Sequence, residues 1–332
     1  MATIGDVARC AGVSVATVSR VINEENNVSE KTRKTVLRAI EELQYVPNML
    51  GVGLRKNQSN MIIVLMNTIS NIIYANMMEG ISASAAARGY RIIIGNTNGL
   101  PESEQDYCEI AKKKLADGVI LLSPSMTTRT VNKYADNFPV VVCGCMAGNL
   151  KAPAVLNNDD QAAYDATCYL LNHGHKHIGF MGLNDGSLTA QNRESGYRRA
   201  LRQAGIADEE RYIIRSGYDF SSGEVETHEL LERTRNMDAV FCATDLLAFN
   251  TIKTAQKMGY AVPKDISVIG FDDSAYALLS SPTITTVQQN LYEIGYQAME
   301  RMYALLQVGK RSNPRVQYVP HKIVVRDSTR DR

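Results

Sequence analysis

Several features are scarce in this 332-residue chain, and each scarcity removes a class of function. No apolar run is long enough to span a bilayer, so no membrane partner is expected. The opening residues, MATIGDVARCAG, lack the basic-then-apolar layout of a secretory signal, and a cytoplasmic location is the expectation. Cysteine is sparse: Cys10, Cys108, Cys143, Cys145, Cys168 and Cys242 are scattered too thinly for a disulfide scaffold. Cys143 and Cys145 have no second cluster nearby in sequence, so buried thiols fit better than a zinc site. Net charge is only +1, and residues 1–60 hold eight Lys/Arg against six Asp/Glu. Charge alone therefore does not point to nucleic acid. Gly-x-Ser-x-Gly, P-loop and metalloprotease spacings are all missing. Gly95-Asn96-Thr97-Asn98-Gly99 is a polar turn without a following phosphate-binding lysine. No catalytic constellation emerges, and no cofactor or metal is expected.

The length exceeds what one hydrophobic core usually serves, so two or three compact units are expected. The N-terminal segment carries the clearest pattern. Thr3 followed by Asp6 suits a helix start, with a hydroxyl cap and a carboxylate in the first turn. Ile4, Val7, Ala8 and Ala11 then form an apolar stripe at helical spacing. Gly12 breaks it as a tight turn between helices requires. Ser14 caps a second helix, whose Val18, Val21 and Ile22 face the first. That leaves Val15, Ala16, Ser19 and Arg20 pointing outward near its N-terminal end. In a helix-turn-helix, residues there reach base edges in the major groove. Arginine can donate two hydrogen bonds to guanine, and valine or alanine can meet a thymine methyl. Asn23 ends the helix within reach of phosphate. Ser29 opens a third helix with Val36, Leu37, Ile40 and Leu43 as its expected inner face. On periodicity alone, a three-helix bundle without any DNA role fits about as well.

Tyr45-Val46-Pro47-Asn48 stops the third helix, and Asn48 is placed to cap a short segment ending at Leu54-Arg55-Lys56. An apolar tip backed by basic residues suits minor-groove insertion. Gly51 and Gly53 favour a flexible linker instead, because glycine costs about 1 kcal/mol against alanine inside a helix.

The runs Thr3-Ile4-Gly5-Asp6-Val7-Ala8, Ala11-Gly12-Val13-Ser14, Ala16-Thr17-Val18-Ser19-Arg20-Val21-Ile22-Asn23 and Tyr45-Val46-Pro47-Asn48 resemble the headpiece of the LacI/GalR family of bacterial repressors. The Val15-Ala16 and Arg20 set is most similar to the galactose-repressor type of reading helix. The resemblance implies a homodimer on a pseudo-palindromic double-stranded DNA operator, with Leu54 as a minor-groove lever. The expected DNA-contact set is Thr3, Val15, Ala16, Thr17, Ser19, Arg20, Asn23, Asn48, Leu54 and Arg55. Many relatives carry Ala-Arg where this chain has Gly51-Val52, so the hinge is expected to be weaker until DNA is bound.

From Met61 the texture changes. Short apolar strands are expected at Ile62–Met66, Arg91–Ile94, Gly118–Leu122, Val140–Cys143, His177–Met181, Tyr212–Arg215, Ala239–Cys242 and Ile266–Gly270. Helix-like runs such as Asn76–Arg88 and Ala162–Asn172 lie between them. Strand–helix alternation argues for parallel, doubly wound α/β sheets, here two groups of four strands in two similar lobes around a cleft. Ligands in such sheets sit beyond the carboxyl ends of the strands. The polar residues there are Asn67 and Ser70, Ser123 and Ser125, Thr244-Asp245 and Asp272-Asp273, with Arg193 and Tyr218 in loops of the second lobe. Carboxylates, an arginine and an aromatic plate suit a sugar or another polyhydroxyl or heterocyclic metabolite. Each residue taken singly also fits a helix cap or loop anchor.

The family resemblance extends through Ala116-Asp117-Gly118-Val119-Ile120, Gly174-His175-Lys176-His177-Ile178-Gly179, Ser195-Gly196-Tyr197, Ile266-Ser267-Val268-Ile269-Gly270-Phe271-Asp272-Asp273 and Thr285-Thr286-Val287-Gln288-Gln289. These look like the family's effector domain, which is similar to type I periplasmic sugar-binding proteins. By position, Ser70, Tyr74, Arg193, Tyr218, Thr244, Asp272 and Gln289 match places where relatives contact a small-molecule effector. Gly144 stands where many sugar-binding members have aspartate, and Asn158-Asp159 reverses the usual Asp-Asn order. The effector therefore need not be a common hexose.

The organisation implied is a headpiece over 1–46 and a hinge helix over 47–58. An effector and dimerisation domain follows over 59–332, with an N-lobe of 59–158 and 289–317 and a C-lobe of 159–288 and 318–332. His173, His175 and His177 form an alternating run of metal-ligand type, but no carboxylate or cysteine partner is evident in sequence and a structural role is favoured. The resulting expectation is an effector-controlled transcription regulator, a repressor rather than an activator. A solute-binding protein feeding a transporter and an enzyme acting on a sugar in the cleft remain as alternatives.

Overall fold

A computed structural model describes residues 2–23, 27–46, 58–146, 148–207, 209–217, 221, 223–308 and 316–330. The chain divides into two compact units, Met1–Ser59 and Asn60–Arg332.

The first unit holds helices α1 (Ile4–Ala11), α2 (Val15–Ile22) and α3 (Glu30–Glu42). Each begins on a hydroxyl cap. Thr3 and Asp6 form a reciprocal capping box, in which the Asp6 carboxylate accepts from the Thr3 backbone N–H at 2.8 Å. Ser14 Oγ accepts from Thr17 N at 3.1 Å, and Ser29 Oγ accepts from Thr32 N at 3.3 Å. Gly12 closes α1 at φ +66°, the left-handed conformation that glycine adopts without Cβ strain. Val7, Ala8, Val18, Val21, Val36 and Ala39 make the core, with Ile4, Ala11, Ile22, Ile40 and Leu43 packed around it.

Leu37 departs from its expected inward position: it is 51% exposed, and Ala39 takes the buried place. The helical period explains this. At about 100° per residue, Ala39, Ile40 and Leu43 fall within roughly 60° of Val36, whereas Leu37 lies about 100° away.

The second unit contains two six-stranded sheets rather than two groups of four. The N-lobe sheet joins β1 (Met61–Met66), β2 (Arg91–Asn96), β3 (Gly118–Leu122), β4 (Val140–Gly144), β5 (Ala154–Leu156) and β11 (Val316–Tyr318), in the order β11-β5-β4-β3-β1-β2. The C-lobe sheet joins β6 (Ile178–Leu183), β7 (Ile213–Ser216), β8 (Ala239–Cys242), β9 (Ser267–Asp272), β10 (Thr285–Gln289) and β12 (His321–Val324), in the order β12-β10-β9-β8-β6-β7. The pairings are parallel except for β10 with β12. Of the strands absent from the expected set, β5 and β11 have three residues each, and β10 is the polar run TTVQQ. None of these gives a long apolar signal.

The helices are α4 (Ile72–Ala87), α5 (Pro101–Ile110), α6 (Thr128–Ala135), α7 (Asp159–Asn172), α8 (Leu188–Gln203), α9 (Glu224–Arg233), α10 (Asp245–Lys257), α11 (Ala275–Leu279) and α12 (Leu291–Val308). They cover both faces of the sheets, so the central strands are buried on both sides, as in the all-buried β3, β4, β6, β8 and β9. Two apolar clusters fill the N-lobe and one fills the C-lobe. The chain passes between the sheets after β5, after β10 and after β11. Among the described residues, no helix is long and apolar enough to cross a membrane.

Candidate functional sites

In the headpiece, one side of α2 is spent on the core and the other is left to solvent. Val18 and Val21 are buried, while Val15 is 47% exposed and Ala16 and Arg20 are exposed. Ser19 and Thr17 are half-buried. Thr17 Oγ1 lies 2.9 Å from Ser14 Oγ, within the cap of α2. Asn23 Nδ2 donates to Ser19 O at 2.8 Å, which fixes the helix end. Thr3 is exposed and caps α1. The Thr3 hydroxyl and the neighbouring Arg9 guanidinium hold the Asp6 carboxyl down to about 2. Asn48, Leu54, Arg55 and the rest of the expected hinge through residue 57 lie outside the described residues.

The second site is a cavity of about 1010 Å³ between the lobes. Its lining comes from the carboxyl ends of both sheets: Asn67 follows β1, Asn98 follows β2, Ser123 follows β3, Asn157 follows β5, and Asp272 and Gln289 end β9 and β10. The helix caps Asn71, Thr127, Ser187 and Thr244 also line it, so α4, α6, α8 and α10 all begin at its wall. Helix N-termini and their hydroxyl or amide caps follow strand ends in this fold by construction, which concentrates polar groups there.

At its base lies a buried ionic centre. Arg193 is 4% exposed and sits on α8. Its Nε donates to Asp159 Oδ1 at 3.0 Å, its Nη2 to Asp272 Oδ1 at 3.1 Å, and its Nη1 to the carbonyl of Ala243. The guanidinium lies 3.7 Å from the centroid of the Phe271 ring. Gln289 Nε2 donates to the same Asp272 Oδ1 at 2.7 Å. Asp272 has φ +109°, a conformation that non-glycine residues rarely adopt, and the bonds from Arg193 and Gln289 hold it there. Burial pushes the Asp272 carboxyl up to about 6, although Arg193 pulls it down; nearby Asp159 adds to the rise. Asp245 stands behind, accepting from Thr286 Oγ1 and from Ser274 N. Burial, followed by the charge of Asp272, raises its carboxyl to about 7.

Of the residues expected at the effector site, Tyr74, Arg193, Thr244, Asp272 and Gln289 line the cavity. Ser70 is exposed, donates from its backbone N–H to Thr68 Oγ1, and is not among the lining residues. Tyr218 lies outside the described residues. Tyr74 is buried, which raises its phenol to about 12. Asn71, Asn98, Thr127, Asn157 and Asp185–Thr189 were not expected. An Asn or Thr directly preceding a predicted helix was the available signal for the caps. Gly144, at φ +96°, would drive a Cβ to 2.4 Å from Ser123 Oγ. A side chain at that position would require the Ser123 hydroxyl to move and would be strained by the positive φ.

The remaining candidates take structural roles. Each histidine of the alternating run has its own partners: His173 Nδ1 lies 2.7 Å from Tyr169 O, buried His175 lies 3.4 Å from Asp238, and His177 stacks on Tyr212. Cys143 and Cys145 are buried free thiols, with burial raising them to about 12 and about 11. Among the described residues, no group of three His, Cys, Asp or Glu is arranged to hold a metal ion.

Comparison with known proteins gives these two sites a context. Residues 3–48 match the family described as bacterial regulatory proteins, lacI family, and residues 167–329 match a periplasmic binding protein-like domain. The chain is 36% identical over 330 residues to catabolite control protein A of Priestia megaterium, covering 99% of each. Among solved structures it is similar to a Lac repressor dimer bound to operator and the anti-inducer ONPF, with 25% identity, TM-score 0.89 and 99% of each chain covered. It is also similar to a transcriptional regulator CelR–cellobiose complex, with 27% identity and TM-score 0.74, covering 99% of this chain and 100% of that one. A helix-turn-helix headpiece joined to a two-lobed binding domain defines an effector-controlled transcription regulator. The chain belongs to the lacI family of bacterial regulatory proteins, and its function is that of a DNA-binding repressor under small-molecule control.

Proposed function

We propose that α2 reads the operator through Val15, Ala16 and Arg20, and that a polyhydroxyl metabolite in the cavity between the lobes controls binding. The observation that carries the first part is the split of α2 into a buried Val18–Val21 side and an exposed Val15, Ala16 and Arg20 side. Arg20 donates to a guanine, and Val15 and Ala16 meet thymine methyl groups. Ser19, Thr17, Thr3 and Asn23 border this face and position the backbone. In the hinge of residues 47–58, Asn48, Leu54 and Arg55 complete the contact set, with Leu54 entering the minor groove. The chain acts as a homodimer, so its operator is an inverted repeat. It acts in the cytoplasm and carries out no turnover.

The second part rests on the crowd of amides and hydroxyls around Arg193 and Asp272. Such a lining suits a sugar or sugar derivative, the kind of ligand present in the CelR–cellobiose complex. Ligand controls DNA binding through unequal affinity for two arrangements of the lobes. Selection from random duplexes with the full-length chain tests the reading: an inverted repeat should be enriched, and recovery of no preferred site would defeat it.

A further inference from the structure

Beneath the cavity lies a second, much smaller void. It has room for the centre of one water-sized body, about 10 Å³. Asn157 and Asp159 border it from the first crossover between the lobes, Gln289 and Asn290 from the second, and Val319 and His321 from the third. It therefore sits where the two lobes are strung together.

Three of the side chains around it carry a buried oxygen without a hydrogen-bond partner: Asn157 Oδ1, Asp159 Oδ2 and Gln289 Oε1. Asp159 and Gln289 are 1% and 7% exposed. The Gln289 amide is oriented by its Nε2 bond to Asp272, which leaves the oxygen as the open atom. Asp159 has committed Oδ1 to Arg193, which leaves Oδ2. Asn158 and Asn290 are occupied through Oδ1 as caps for the N–H groups of Gln161 and Glu293. His321 is engaged by Asp165 at 2.8 Å.

All three unpartnered oxygens are acceptors, and one of them is a carboxylate oxygen. Around the base of the site, Asp159 and Asp272 share the single guanidinium of Arg193, so negative charge is in excess. A buried acceptor left without a donor bears its full desolvation penalty, which is greater for a charged group. A water molecule donates two hydrogens, which leaves one oxygen unsatisfied and the charge unbalanced. A divalent metal is a poor match, since calcium sites are built on several carboxylates and this void offers a single carboxylate oxygen.

We propose that this void binds one compact monovalent cation, held by Asp159 Oδ2, Asn157 Oδ1 and Gln289 Oε1, and that its presence braces the crossovers. The chemistry has two sources. One is a free ion such as potassium or ammonium. The other is a primary ammonium group on the effector, whose three N–H donors match three acceptors; only this second source rests on the cavity being the effector site.

The test uses the full-length chain at fixed protein concentration and ionic strength. Thermal unfolding is followed as tetramethylammonium chloride is replaced by potassium chloride or ammonium chloride. The midpoint is expected to rise by about 2–4 °C and to saturate, because the ion binds only the folded state. Asp159→Asn should abolish the rise. Because that change also touches Arg193, Asn157→Ala serves as the second variant: its oxygen holds no partner in the fold, so the chain should fold and lose the rise. Calorimetry with glucosamine and glucose separates the sources. At least tenfold tighter binding of the amine, lost in Asn157→Ala, assigns the site to the effector; a potassium effect without that preference assigns it to the free ion. Equal midpoints in all three salts would overturn the proposal and leave the void to water. A neutral metabolite that fills the large cavity and alters operator affinity, with no salt-identity effect, defeats this inference alone. A cation effect in a chain whose large cavity takes up none of the metabolites tried defeats only the cavity reading.

Discussion

On α2, Val15, Ala16 and Arg20 stand exposed while Val18 and Val21 of the same helix are buried. In the lobed unit, Arg193, Asp272 and Gln289 are themselves buried, and they come from α8, β9 and β10. The headpiece thus separates the residues that fold it from those proposed to read DNA. The lobed unit uses the same groups for both. Substitution should divide the two regions accordingly.

The largest effect is expected at Arg193. Replacement by alanine leaves Asp159 and Asp272 buried without their cation. Breaking a buried pair in this way costs about 3–5 kcal/mol. Denaturant unfolding of the full chain should show that loss in the transition of the lobed unit; a loss below about 1 kcal/mol would break the claim that the site and the fold share this group.

Next comes the headpiece core. Val18→Ala removes two buried carbons from a cluster of few residues, with a cost of about 2–3 kcal/mol. The headpiece transition should move while the lobed unit's stays in place. Arg20→Ala should do the opposite within the same helix. Stability should hold within about 0.5 kcal/mol, since the side chain is exposed. Discrimination at one operator position should fall by about 1–3 kcal/mol in competition binding. Equal loss on operator and random DNA would erase the distinction between folding face and reading face.

The smallest effect concerns Asp6. Its carboxyl is lowered from 3.8 to about 2 by the Thr3 cap and by Arg9. A depressed carboxyl contributes stability above its unfolded value, and this is lost as pH falls through its folded value. The α1 cap should therefore persist at pH values just below 3.8 and fail near 2. An NMR titration of the Asp6 carboxyl that gave an ordinary value would remove the capping box as a cause.

The same contrast decides how much could be read from sequence. Headpiece signals are local. Thr3, Ser14 and Ser29 announce their helices because a hydroxyl must accept from an N–H three residues on, and Gly12 announces the turn by its need for positive φ. Among the described headpiece core positions, Leu37 faces solvent instead, because it lies about 100° round the helix from Val36. In the lobed unit the long apolar strands were legible, while β5, β10, β11 and β12 were too short or too polar to register. Arg193 and Asp272 were legible through family resemblance, but the bridge that Arg193 makes between Asp159 and Asp272 was not. That bridge joins residues 34 and 79 positions from Arg193 and exists only once the strands stand in parallel register. The void at the crossovers is less legible still, because it depends on which oxygen of each side chain is left over.

The claim that links both regions is that occupancy of the cavity changes affinity for DNA. Titrating the selected operator with the full-length chain, with and without a saturating cavity ligand found by thermal shift, measures that link directly. The expected result is a change of about 5–150-fold in Kd, lost when Asp272 is replaced by alanine. An identical Kd with the cavity full and empty would contradict the account.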